Sequence, residues 1–161
     1  MTITAEQFGQ GMRFPAYMAQ MRDNQEAFAA NYAAFQITAA DQEVISRLDR
    51  PLQVLILTED WCGDSLLYLP VLGRLGAAAP NWDLRVFLRD QHLDLADQYL
   101  NQGKWRSVPV VVFYDHTLHE LGRFIEHPAL ARQERQTLID HVAREHPAVQ
   151  AGRPYNDQSD A

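Results

Sequence analysis

The sequence predicts an α/β domain with a central mixed β-sheet flanked by helices, and three patterns predict it. After residue 50, short apolar runs alternate with helical stretches in the order strand, helix, strand, helix, strand, strand, helix. Strand–helix–strand units imply parallel pairing through crossovers, and the closing strand pair implies an antiparallel hairpin. The run from Leu52 to Thr58 is almost continuously apolar, as expected of a strand covered on both faces.

Each element follows from its own pattern. Phe14, Tyr17, Met18, Met21, Phe28, Tyr32 and Phe35 recur mostly at three- and four-residue spacing, which predicts helix over 14–36 with a break near Asp23-Asn24. Pro15 suits a first turn. Thr38, with Asp41 three residues on, is an N-cap for a helix over 39–49. Leu66, Leu69, Leu72 and Leu75 trace one face of a helix running from Cys62 to about Ala79, with Pro70 inside it expected to kink it or split its first turn. Leu84, Val86 and Leu88 alternate with Arg85, Phe87 and Arg89 as a strand. A short helix follows over 93–101. Pro109 to Tyr114 is the next strand, Asp115-His116-Thr117 turns it, and Leu118 to Ile125 returns antiparallel. Leu130, Leu138, Ile139 and Val142 mark a last helix over 129–145. The expected organisation is an N-terminal helical extension (1–49) packed on the domain, the domain itself (50–146) and a polar tail (147–161).

Composition narrows the function. The 161 residues suffice for one domain with a real core, and 47% apolar with 22% charged residues is ordinary for a globular chain. A formal net charge of −7 without a basic block argues against nucleic-acid or anionic-membrane binding. No apolar run approaches a membrane span, and the first residues lack the basic and apolar regions of a secretory leader. A single cysteine cannot form an internal disulfide, which fits a reducing cytoplasm.

That cysteine lies in Trp61-Cys62-Gly63-Asp64-Ser65, at the junction of the 52–58 strand and the following helix. Helix N–H groups at such a junction favour a thiolate over a thiol. Cys62 is therefore a candidate nucleophile. Ser65 occupies the place of a second, resolving cysteine; its hydroxyl is expected to hydrogen-bond the sulfur, but it cannot resolve a mixed disulfide. The alternative for Cys62 is a small buried residue without reactivity.

The element order, Trp61-Cys62-Gly63 at the first helix of the domain and Val108-Pro109 at the start of its third strand resemble the thioredoxin-like fold over about residues 50–146. Thr58-Glu59-Asp60-Trp61-Cys62-Gly63-Asp64, Leu69-Pro70-Val71-Leu72, Arg89-Asp90-Gln91 and Ser107-Val108-Pro109 are similar to a bacterial thioredoxin-like group. That group carries W-C-G-D followed by cysteine, alanine or serine, and has a helical N-terminal extension. The resemblance implies a cis-proline at Pro109 facing the sulfur, with Val108 pairing its backbone to an extended substrate. An ordinary trans proline opening a strand is the alternative. It further implies a catalytic pair Cys62 and Ser65, and a substrate surface of Trp61, Gly63, Val108 and Pro109.

The departures from thioredoxin are informative. Ile56 stands where thioredoxins keep a buried acid, and Asp64 where they have proline, so a self-sufficient dithiol reductase is not expected. Cys62-Gly63-Asp64-Ser65 is also similar to the C-G-F-S site of monothiol glutaredoxins, but Glu59-Asp60 precedes it and would repel a carboxylate-rich thiol. Glu59 and Asp60 read as a solvated loop edge that selects partners by charge. The reading that results is a monothiol redox protein, forming a mixed disulfide with a protein disulfide or a low-molecular-weight thiol. It needs no resident cofactor beyond such a thiol as reductant, and it is a monomer or weak homodimer. The alternative is a non-catalytic module that binds a peptide in the same groove. Histidines 92, 116, 119, 127, 141 and 146 lack metal-ligand spacing.

Overall fold

A computed structural model describes residues 3–145, without the side chains of 138, 139 and 141–145. Val142, His146 and the tail from residue 147, on which part of the sequence reading fell, lie outside the described residues or side chains. The chain forms two compact units that divide between Glu126 and His127.

The first unit is a five-stranded sheet in the order β1-β3-β2-β4-β5, with β1 at Met12–Arg13, β2 at Leu52–Thr58, β3 at Trp82–Leu88, β4 at Val110–Tyr114 and β5 at Glu120–Ile125. β2 and β3 pair in parallel, and the other pairs are antiparallel. Helix α5 (Gly63–Ala78) makes the crossover from β2 to β3. β2 is central. Val54, Leu55, Ile56 and Leu57 are all at most 1% exposed, because alternate side chains enter opposite cores. Leu55 and Leu57 join Phe87, Val110, Val112 and Tyr114. Val54 and Ile56 join Val86, Val111 and the inner faces of the helices.

The N-terminal residues build both cores. Helix α1 (Ala5–Gln10) opens on a Thr4–Gln7 capping box and sends Phe8 into the first core. The predicted 14–36 helix is two, α2 (Phe14–Gln20) and α3 (Gln25–Ala34), separated at Asn24, whose φ of 56° no helix accepts. Phe14, Tyr17, Met21 and Phe28 fill the second core. Phe14 lies where a Cβ on Gly73 would stand, within 2.8 Å, so only glycine permits this approach of α2 to α5. Helix α4 (Ala39–Arg47) carries the Thr38–Asp41 capping box the sequence announced. The extension is not helical throughout, since β1 adds a strand to the sheet edge.

Pro70 neither splits nor ends α5, which runs continuously through it. Proline removes the N–H that would bond the carbonyl four residues earlier. That carbonyl, on Leu66, instead accepts from Asn31 Nδ2 at 3.0 Å. The predicted 93–101 helix shortens to α6 (Leu93–Ala96) followed by a 3₁₀ turn, Asp97–Tyr99. The second unit contains α7 (Ala129–Glu145), where His127 Nε2 lies 2.7 Å from Arg135 Nη1. Leu130, expected on an apolar face, is exposed. No helix among the described residues is long and apolar enough to cross a membrane.

Candidate functional site around Cys62

Antiparallel pairing of β2 with β4 sets Leu57 opposite Val110, so the C-terminal end of one strand meets the N-terminal end of the other. Cys62 and Val108 extend from those ends. Cys62 is the N-cap residue of α5, with extended φ and ψ of −78° and 121°. Its N–H closes a turn onto the Glu59 carbonyl at 3.3 Å, and its carbonyl accepts from Leu66 at 3.1 Å to start the helix. The thiol donates to the Val108 carbonyl oxygen at 3.4 Å. The Val108–Pro109 peptide bond is cis. Cys62 is 8% exposed and Val108 7%, so the sulfur sits at the edge of the core rather than on an open surface. Beside them, a side chain at Gly63 would meet nothing within 4 Å.

Ser65 is placed differently from expectation. It is buried, and its Oγ accepts a hydrogen bond from Thr58 Oγ1 at 2.7 Å rather than pairing with the sulfur. The hydroxyl ties the end of β2 to the first turn of α5. Behind it, Tyr17 is fully buried with no hydrogen-bond partner for its hydroxyl within normal range. Burial pushes this phenol up to about 12, outweighing the opposite influence of nearby Thr58, and the surrounding Asp60, Cys62 and Glu59 add to the rise.

Glu59 and Asp60 are not a solvated edge. Glu59 is 7% exposed, and its Oε1 accepts from the Asp90 N–H at 2.8 Å. Desolvation raises its pKa above the ordinary carboxylate value, against the lowering effect of that hydrogen bond. Asp60 Oδ2 accepts from the backbone N–H groups of Arg22 and Asp23 at 2.8 and 3.3 Å, and its carbonyl accepts from Asn24 Nδ2 at 2.9 Å. The two adjacent carboxylates enter the Glu59–Cys62 turn with different partners, so Asp60 clamps the α2–α3 turn and Glu59 holds the β3 exit. Both carboxylates are thus engaged within the fold.

Trp61 is 45% exposed, and the Arg89 guanidinium lies 5.2 Å from its ring centroid. Arg89 also bonds Asp90 Oδ1 and the Arg106 carbonyl at 2.8 and 3.1 Å. One side chain thus spans from the tryptophan before the cysteine to the segment leading into Val108.

Of the residues singled out by sequence, Cys62, Val108 and Pro109 come together, Trp61 and Gly63 border them, and Ser65 supports the loop from behind. Sequence reasoning missed Arg89, Thr58, Tyr17 and the clamp at Asp60. The Arg89-Asp90-Gln91 triplet was visible as a motif, but nothing in it announced contact with Trp61. Among the described residues, no group of three or more His, Cys, Asp or Glu side chains is placed to hold a metal ion.

Two solved structures share this architecture. A crystal structure of PA1234, a protein of unknown function from Pseudomonas aeruginosa, superposes with a TM-score of 0.73 at 24% identity, covering 89% of each chain. An HIV epitope scaffold gives 0.69 at 26% identity, over 87% of this chain and 86% of that one. Fasciola hepatica thioredoxin aligns over 65% of this chain and 95% of its own, at 24% identity and a TM-score of 0.40. No curated protein matches. The family described as Thioredoxin matches residues 11–140, and with most of its length so covered this chain belongs to the thioredoxin family.

Proposed function

We propose that this protein is a single-cysteine thiol–disulfide redox protein working in a reducing cytoplasm. The Cys62 sulfur attacks a disulfide in a protein or a low-molecular-weight thiol dimer. A sulfur–sulfur bond forms to one substrate sulfur, the substrate bond breaks, and the other sulfur leaves as a thiolate. A second thiol, supplied from outside, then attacks the mixed disulfide and returns Cys62 to the reduced form, its own sulfur ending in the new disulfide. Ser65 takes no part in the exchange; it holds Thr58 and keeps the loop in place. Val108 and Pro109 align an extended substrate, while Trp61 and Gly63 border its approach. The protein acts as a monomer or weak homodimer.

The observation that carries this reading is the Cys62 sulfur at 3.4 Å from the Val108 carbonyl oxygen, at the N-cap of a 16-residue helix. The low exposure of Cys62 favours a second reading, a binding module in which the same groove holds a peptide and the thiol stays hydrogen-bonded to Val108.

Reaction with 5,5′-dithiobis(2-nitrobenzoic acid) separates the two. The redox reading expects the folded protein to release one equivalent of coloured thiolate, form an adduct at Cys62 and lose it to reduced glutathione. Cys62→Ser removes the reaction. Reaction only after unfolding in urea overturns the redox reading and leaves the binding module.

A further inference from the structure

Away from Cys62, α2, α3, α5 and the start of β3 line a hollow of about 930 Å³ that opens to the surface. Clefts that take small molecules run from about 300 to 1,000 Å³. We propose that this hollow is a binding site for an uncharged, largely apolar small molecule.

Its walls fix that chemistry. Phe14, Met21, Phe28 and Leu84 line it and are each 7% exposed or less, so they form a buried apolar floor. Met18 and Met21 give this floor a soft, adaptable surface. The charged side chains in the lining are Arg13 and Glu26, which are opposite in sign. The Arg13 guanidinium is already engaged by Asp83 at 2.9 Å. An anionic ligand would lose its hydration without gaining a free counter-charge, and the one carboxylate, Glu26, stands at the exposed rim rather than over the apolar floor.

The occupant is a small molecule rather than a protein or a second copy of this chain. A protein partner seats on apolar side chains that project outward. Here the rim is polar or small, with Ala19, Gln25, Glu26, Ala29 and Ala77 exposed around the hollow. Large exposed hydrophobic residues such as Trp61, Leu67 and Leu121 lie elsewhere. The apolar surface is inside the concavity and not around it.

Nile red, an uncharged dye with a polarity-sensitive emission, tests the site. The wild-type protein should bind it saturably at one dye per chain, with a blue-shifted emission. Ala29→Trp, placed at the rim, should weaken binding at least tenfold while the unfolding midpoint stays within a few degrees. Ala77→Trp, from the opposite wall, should do the same and stands in should the first variant fold poorly. Leu121→Gln, away from the hollow, should bind as the wild type does. Non-saturable binding, or equal binding by the folded rim variants, overturns the proposal. So does a dye signal that disappears as the protein is concentrated into a dimer, which would give the hollow to a second copy.

Discussion

Asn31 Nδ2 donates to the Leu66 carbonyl at 3.0 Å, and that carbonyl is the one Pro70 deprives of its helical partner. A helix carrying an internal proline is thus completed by a side chain from another helix. Replacing Asn31 with Leu leaves the acceptor without its protein donor, and should cost about 1–2 kcal/mol in urea unfolding. In a Pro70→Ala background, where the alanine N–H restores the helical bond, the same substitution should cost much less. Equal losses in the two backgrounds would show that Asn31 acts elsewhere.

Ser65 stands at the third position of α5 and Cys62 at its N-cap, the pair of positions that a capping box links by bonds from each side chain to the other's backbone, which brings the two side chains near each other. Ser65→Cys should therefore close a disulfide with Cys62 under mild oxidation, removing both free thiols and lowering the mass by two hydrogens. The variant should reduce insulin disulfides with dithiothreitol as electron source, whereas the wild type should turn over negligibly. Loss of the bond from Thr58 should cost about 1 kcal/mol. Two thiols still titrating after oxidation would mean that the loop holds these positions apart.

Glu59 links stability to pH. Desolvation raises its folded pKa above the ordinary carboxylate value, so the native protein holds this proton more tightly than the unfolded chain. Its contribution is fully present below the unfolded pKa and is lost as pH rises through the folded one. Glu59→Gln keeps an acceptor for the Asp90 N–H and removes the buried charge. The variant should be more stable than the wild type at neutral pH, with an advantage that shrinks to nothing as pH falls below the unfolded pKa. Urea titrations from pH 4 to 8 measure the difference; an advantage that instead grows toward acid would reverse the assigned cause.

Asp60 secures the turn between α2 and α3 through two backbone amides. Asp60→Ala should speed amide hydrogen exchange at Arg22 and Asp23 at least tenfold and lower stability by about 1–3 kcal/mol. Exchange unchanged at those two amides would show that the turn holds itself.

Periodicity made most of the fold legible. The apolar run at 52–58, the alternation at 84–88 and the Thr38–Asp41 spacing each mark an element that is present, because local burial and capping impose local patterns. Elements set by distant contacts left no such trace. β1 is two residues long and exists through pairing with Arg85 and Val86, far beyond any sequence window. The site divides in the same way. A cysteine before a helix and a Val-Pro before a strand are local signals. The Thr58–Ser65 bond, the Arg89–Trp61 contact and the divergent duties of Glu59 and Asp60 depend on which loops the sheet brings together.

The shortest strand has a disproportionate effect. Met12 and Arg13 occupy the open hydrogen-bonding edge of β3 at Val86 and Arg85. A fragment trimmed to begin at residue 50 would bare that row of amides and carbonyls, and exposed edges of this kind recruit strands from other molecules. Such a fragment should self-associate through β3, at the two edge positions that Met12 and Arg13 cover in the whole chain.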